Sequence, residues 1–234
     1  MRKPLIVAVA QPPCTASDVA ANAVTHAAVV RSAGARVVVF PELSLTGYEL
    51  GAPAVAVDDP RLAPLVEACA ETGALALVGA PVDGEAGRVH IGMLAVDATG
   101  ASVVYRKMWL GGAEPGRFSP GDEPARLDVG GWRLGLAICK DTGIRQHASD
   151  TVALGIDAYV AGMLESAVDA AIPEERARRI ATDHHVWVVL ASFAGSTGGG
   201  YDEAAGGSGI WGPDGVVVAQ AGSGTGAIAR APLI

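Results

Sequence analysis

Leu134-Gly135-Leu136-Ala137-Ile138-Cys139-Lys140-Asp141 is an apolar run that turns polar at a thiol. It is long enough for a buried strand and is bounded by Gly130-Gly131 before it and Thr142-Gly143 after it. Two other segments share the design. Val37-Val38-Val39-Phe40-Pro41-Glu42 ends on a carboxylate, and Ser102-Val103-Val104-Tyr105-Arg106-Lys107 ends on an amine. Strand ends are where α/β proteins bring together residues that are distant in sequence. A thiol, a carboxylic acid and a lysine at three such ends are the parts of an acyl-transfer site.

The rest of the chain supplies the frame. Residues 5–10 form a first apolar strand, Ser17 or Asp18 offers an N-cap, and an Ala- and Val-rich helix runs to Gly34 before a strand over 36–40. This unit predicts a parallel pair with a right-handed crossover. A second helix over 60–72, closed by Gly73, leads into a strand over 74–79. Asp97-Ala98-Thr99-Gly100 separates strands 89–96 and 101–106, and Gly130-Gly131 separates 127–129 from 132–138; both read as hairpins. After a strand over 156–161, Pro173 opens a helix in which Glu174 and Glu175 each precede an arginine by four residues, Arg178 and Arg179. Strands over 186–193, 209–211 and 216–219 follow, the last two joined by Pro213-Asp214-Gly215. The glycine-rich stretch 195–207 reads as the one long flexible segment. Residues 1–234 read as one α/β domain with two sheets.

With 234 residues, half of them hydrophobic, the chain can bury a sizeable core. No apolar stretch approaches the roughly 20 residues of a membrane-spanning helix, and no signal peptide precedes the first strand, so the expectation is a cytoplasmic protein without a membrane partner. A net charge of −8 argues against nucleic acid as a partner. Three cysteines, Cys14, Cys69 and Cys139, without close pairs fit free thiols in a reducing compartment. Neither Cys-x-x-Cys nor His-Glu-x-x-His occurs, so no metal is expected.

Cys139 stands apart from the other thiols because fresh backbone N–H groups follow it at the turn, where they can stabilise an oxyanion. Cys14 follows Pro12-Pro13 in a loop and Cys69 sits among helical alanines. Glu42 is flanked by apolar residues on both sides. It reads either as a buried carboxylate satisfied by backbone donors or as a general base with a pKa raised by desolvation. Lys107 is followed by Met108-Trp109-Leu110, which returns the chain to the interior. Glu114 carries little signal alone.

Phe40-Pro41-Glu42-Leu43-Ser44-Leu45-Thr46-Gly47-Tyr48, Tyr105-Arg106-Lys107, Glu114 before Phe118-Ser119-Pro120-Gly121, and Gly135 to Asp141, in this order and spacing, resemble the nitrilase superfamily of carbon–nitrogen hydrolases. The resemblance runs from the opening strand through Gln11 to Gly215. It implies an αββα sandwich of two mixed sheets, a homodimer or higher homo-oligomer, and no cofactor. It implies Cys139 as nucleophile, Glu42 as general base, Lys107 with the Lys140 backbone N–H as oxyanion donors, and Glu114 as the second glutamate beside the lysine. Tyr48, Trp109, Lys140 and Met163 are the expected substrate-binding residues.

The chain departs from the family pattern at Lys140, where many members carry an aromatic residue, at Ile144-Arg145-Gln146 in place of Phe-Pro-Glu, and at Trp109 in place of histidine. Lys140-Asp141 in place of Trp-Glu favours a small amide or carbamoyl substrate over a nitrile. A nitrile hydrolase and an inactive scaffold member are the alternatives. The missing membrane helices and second domain set aside a lipoprotein acyltransferase and a glutamine-fed synthetase. Gly207-Ser208-Gly209-Ile210-Trp211-Gly212 matches the dinucleotide fingerprint, but a Pro-Asp-Gly turn follows it instead of a helix. His184-His185 reads as structural. His147, eight residues beyond Cys139, offers a rival cysteine–histidine pair that would leave Glu42 and Lys107 without a purpose.

Overall fold

The first half of the chain, in a computed structural model that describes residues 2–234, runs β1 (Leu5–Ala10), α1 (Val19–Ala33), β2 (Val37–Val39), α2 (Ala63–Thr72), β3 (Leu75–Asp83), β4 (Val89–Asp97) and β5 (Gly100–Arg106). The second runs β6 (Ala125–Val129), β7 (Trp132–Ile138), α3 (Arg145–Ala153), β8 (Ala158–Met163), α4 (Ile172–His184), β9 (Trp187–Ser192), β10 (Ala194–Gly195), β11 (Ala204–Ala205), β12 (Gly209–Trp211), β13 (Val217–Gln220) and β14 (Ile228–Leu233). One six-stranded sheet has the order β14-β1-β2-β3-β4-β5 and the other β13-β12-β9-β8-β7-β6. β1, β2 and β3 are parallel, as are β7, β8 and β9, each joined through a helix; the outer strands are antiparallel.

Side-chain alternation builds the layers. Val7, Val9, Val37, Val39 and Leu77 of the first sheet meet Leu134, Leu136, Ile138, Val160 and Val189 of the second in one buried core. The intervening residues face outward. Ala8, Ala10, Val38 and Ala76 pack under α1 and α2, while Tyr159, Ala161, Met163 and Val188 pack under α3 and α4. The result is an αββα sandwich. Each fully buried valine or leucine contributes roughly 1.5–3 kcal/mol to it.

Local signals set the element ends. Asp18 accepts a hydrogen bond from Ala21 N at 3.0 Å, and Gly34, at φ 56°, stops α1 in the left-handed region. Gly130 and Gly131 have φ 58° and 84°, the pair of positive values that a tight hairpin between β6 and β7 requires.

The structure differs from the sequence expectation in five main places. β14 (Ile228–Leu233) pairs antiparallel with β1 beyond the point where the sequence reading ends its strands. α3 has no apolar stripe to announce it, because it buries His147, Ala148 and Thr151. β3 runs to Asp83 instead of 79, since β4 pairs with it throughout. Of the two glutamate–arginine pairs in α4, Glu174–Arg178 forms at 2.7 Å, whereas Arg179 instead donates to the Thr142 carbonyl at 2.7 Å. The stretch 195–207 is tied down by the β10–β11 pairing and by Tyr48 N donating to Thr197 O at 3.0 Å.

Candidate active site

After β2 the chain does not continue along its sheet. Phe40-Pro41-Glu42-Leu43 crosses between the two sheets, and glycines on either side make room for it. A Cβ on Gly79 of β3 would run into the Leu43 amide nitrogen. One on Gly162 of β8 would stand 2.9 Å from the Glu42 amide nitrogen and from the Phe40 carbonyl. Leu43 turns the chain at φ 51°. Glu42 is thereby set between the sheets with its side chain fully buried.

Lys107, one residue beyond β5, meets it there. Its Nζ donates to Glu42 Oε1 at 2.6 Å and to Glu114 Oε1 at 2.7 Å, and the lysine is 1% exposed. Glu114 opens a short 3-10 turn, Glu114–Gly116. Its Oε1 also accepts from Tyr48 OH at 2.7 Å, and its Oε2 from Gly111 N at 2.7 Å. Glu42 Oε2 is buried and has no hydrogen-bond partner among the described residues. Burial raises the Glu42 carboxyl from the ordinary carboxylate range towards neutrality. Lys107 opposes the rise and Glu114 adds to it. Burial alone would depress Lys107, but the charge of Glu42 and its neighbours outweighs that and keeps the ammonium protonated.

Cys139 begins a 3-10 segment, Cys139–Gly143, directly after β7. It holds φ 45°, a left-handed conformation that a non-glycine residue adopts at a cost of roughly 1–3 kcal/mol and that often marks functional sites. Its Sγ donates to the Leu164 carbonyl at 3.3 Å. Burial raises the thiol pKa, the Glu42 charge raises it further, and Lys107 pulls part of the rise back. The resting thiol is therefore protonated and depends on a base. The thiol and the Glu42 carboxyl are neighbours, close enough for each to shift the pKa of the other.

Glu42, Lys107, Glu114 and Cys139 thus come together, with Tyr48 beside Glu114. The other three expected substrate residues are placed differently. Met163 lies on the helix side of β8, fully buried among α3 and α4 side chains, where its sulfur accepts from Thr142 Oγ1 at 3.8 Å. Lys140 turns its exposed ammonium onto the Leu110 carbonyl at 2.6 Å and fastens that loop. Trp109 packs its ring edge-on against His147, with centroids 5.4 Å apart. The cysteine–histidine alternative does not form, because both ring nitrogens of His147 face tyrosine hydroxyls, Tyr105 at 2.8 Å and Tyr159 at 2.7 Å. His184 is half-buried at the end of α4, and His185 caps it at φ 55°.

Two contributors are absent from the sequence reading. Tyr201, inside the glycine-rich stretch, stacks edge-on against Tyr48 with centroids 5.1 Å apart; the signal is a single aromatic residue following Gly198-Gly199-Gly200. Glu165, next in the chain after the carbonyl that accepts the thiol, pairs with Arg176 at 3.0 Å.

The model of the carbon-nitrogen hydrolase family matches residues 6–232. A Pseudomonas protegens protein described as "Hydrolase in pqqF 5'region" is 28% identical over 232 residues, spanning 94% of this chain and 80% of that protein. An (R)-stereoselective amidase of a Pseudomonas species is 29% identical over 126 residues, 52% of this chain and 46% of the amidase. Among solved structures, a cysteine-to-alanine mutant of the Nesterenkonia AN1 amidase from the nitrilase superfamily superposes with a TM-score of 0.86 at 21% identity, covering 98% of this chain and 90% of that one. Saccharomyces cerevisiae Nit3, a branch 10 member of the superfamily, superposes with a TM-score of 0.85 at 23% identity, covering 99% and 90%.

Proposed function

Because the chain belongs to the carbon-nitrogen hydrolase family, within the nitrilase superfamily, we propose that it hydrolyses the C–N bond of a small linear amide or carbamoyl compound through a thioester on Cys139. The observation that carries this reading is the divided Glu42 carboxylate. Lys107 holds Oε1, while Oε2 is buried, unpartnered among the described residues, and beside a protonated thiol.

The steps follow from proton bookkeeping. Glu42 takes the Cys139 proton as sulfur attacks the carbonyl carbon, and the negative charge moves to the carbonyl oxygen. Lys107 Nζ and the Lys140 backbone N–H donate to that oxygen; the amides at the head of a 3-10 segment have no partner within it. Collapse breaks the C–N bond, and Glu42 returns its proton to the departing ammonia or amine. Glu42 then takes a proton from water, hydroxide attacks the thioester, and sulfur leaves with that proton as the acid is released. Glu114 and Tyr48 keep Lys107 in place. A glutamate-to-glutamine mutant of the Nesterenkonia amidase, described with acrylamide joined to its active site cysteine by Michael addition, offers an analogy for a reactive thiol in this fold.

The same reading includes a cytoplasmic homodimer. No helix among the described residues is long and apolar enough to cross a membrane; sedimentation velocity would test the dimer. An ammonia-release screen over small amides, carbamoyl compounds and nitriles tests the activity. Release from amides by the native chain, lost in Cys139→Ala and accompanied by an acyl adduct on Cys139 in mass spectra of the native enzyme, supports the proposal. Substantial release by the Cys139→Ala protein overturns it.

A further inference from the structure

Behind the site lies a buried polar chain that the steps above do not use. Asp141 is fully buried, and its carboxylate has three donors. Oδ1 accepts from Trp109 N at 2.9 Å; Oδ2 accepts from Ile138 N at 2.9 Å and from Tyr105 OH at 2.8 Å. Tyr105 and Trp109 lie two residues to either side of Lys107, and Ile138 immediately precedes Cys139. One carboxylate therefore brackets the lysine from both flanks and ties those flanks to the turn that carries the thiol.

The chain continues outward in one proton order. Tyr105 spends its only proton on Asp141, so its oxygen must accept from His147 Nε2 at 2.8 Å. A neutral His147 protonated at Nε2 has a bare Nδ1, which accepts from Tyr159 OH at 2.7 Å. Burial holds the imidazole neutral, with its pKa lowered to about 4. Tyr159 lies on the helix side of β8 and Tyr105 on the face between the sheets, so the chain passes from the outer layer to the inner one.

We propose that Tyr159, His147 and Tyr105 form a proton-ordered hydrogen-bond chain whose purpose is to hold Asp141 as a triple acceptor, and that Asp141 through these bonds sets the separation of Cys139 from Lys107. All four are positioning residues; none is needed to touch substrate. This inference rests on the reading of Cys139 and Lys107 as the reacting thiol and oxyanion donor. If Tyr159 loses its hydroxyl, His147 Nδ1 has no donor, and the ring that meets the Tyr105 oxygen is held at one nitrogen only. The Lys107 flank is then loosened by a change two hydrogen bonds away. Trp109, whose ring covers His147, closes this pocket.

Tyr159→Phe keeps the ring and removes only the outermost donor. Misplacement by a distant change can cost up to about 100-fold, and we expect kcat on the best amide of the panel to fall about tenfold with KM within about twofold. The rate of Cys139 alkylation by iodoacetamide should change in the same variant. Tyr105→Phe and His147→Leu should each lower kcat, and the double variant should be no worse than the poorer single one, as for residues acting through one bond. Should His147→Leu fail to fold, nitrogen-15 NMR of His147 in the intact protein decides the same question. A neutral ring protonated at Nε2 in the native chain, with an Nδ1 resonance that moves in Tyr159→Phe as its donor is lost, supports the proposal. A proton on Nδ1 in the native chain, or native kcat and thiol reactivity in Tyr159→Phe, overturns it. A Cys139→Ala protein that still turns over would instead sink the thioester mechanism while leaving the NMR result standing.

Discussion

Gly162 of β8 approaches the backbone of Glu42 so closely that a Cβ would stand 2.9 Å from its amide nitrogen. The contact joins the sheet that carries Cys139 to the loop that carries Glu42, so the distance between base and thiol is fixed by backbone rather than by flexible side chains. Gly162→Ala must push this loop away. We expect turnover to fall at least tenfold, while the overpacking costs roughly 1–3 kcal/mol of stability. Gly79→Ala faces the same loop from the other sheet, with a tighter approach to Leu43 N, and should be the less stable of the two. Thermal melts with a rate assay on both variants check this; native turnover in Gly162→Ala would show that the spacing does not matter.

Among the described residues, Lys107 is the one cation hydrogen-bonded to Glu42 and Glu114, and its removal acts on rate and stability together. Lys107→Met keeps the stem and deletes the charge. Loss of an oxyanion donor typically costs on the order of 100- to 1,000-fold in turnover. Leaving buried carboxylates without their partner costs about 3–5 kcal/mol unless they take up protons. The stability deficit should therefore shrink as the pH falls, whereas the rate deficit should not. A variant whose melting temperature tracks the native protein at every pH would contradict the buried ion network.

Tyr48→Phe separates two roles for that ring. Its hydroxyl donates to Glu114 Oε1, the same oxygen that Lys107 uses, and its ring meets Tyr201. Removing the hydroxyl leaves a buried carboxylate short of one donor, a loss of roughly 1–3 kcal/mol. If the hydroxyl supports Lys107, kcat falls about tenfold with little change in KM, in line with a tenfold loss per 1.4 kcal/mol of barrier. A rise in KM alone would place the hydroxyl on the substrate.

How far the site can be read from sequence depends on strand alternation. Glu42, Lys107 and Cys139 each follow an apolar run, and that abrupt change of polarity is visible without coordinates. Met163 is not decided this way. β8 is buried on both faces, so Ala-Tyr-Val-Ala-Gly-Met shows no alternating polarity to say which face looks inward. The structure puts Gly162 against Glu42 and sends Met163 to the helix side. α3 escapes notice for a related reason: its buried face is His147, Ala148 and Thr151, and the burial of His147 depends on partners contributed by β5 and β8. The parallel crossovers and hairpins, by contrast, are set by caps and paired glycines that act locally.

The pH dependence of the protein should reveal Glu42 by a conflict between stability and rate. Its folded-state pKa is raised above the ordinary value of 4.5 because burial disfavours the charge more than Lys107 favours it. The fold thus prefers the protonated carboxyl. The contribution of that preference to stability is fully present below the unfolded pKa, and it is lost as the pH rises through the folded pKa towards neutrality. Catalysis needs the ionised form, so kcat/KM should rise over the same window in which this stability is lost. Asp141, raised to about 6 by burial, contributes to the stability curve with the same sign. The native curve alone therefore cannot be assigned to Glu42. Glu42→Gln removes one contribution and keeps the other, so the difference between the two proteins isolates Glu42. Chemical denaturation at a series of pH values from about 4.5 to 8 should show the native protein losing more stability than Glu42→Gln as the pH rises, with the gap opening where the native rate climbs. Parallel stability curves for the two proteins would mean that Glu42 is not held protonated by the fold, and the acid limb of the rate would then belong to another group.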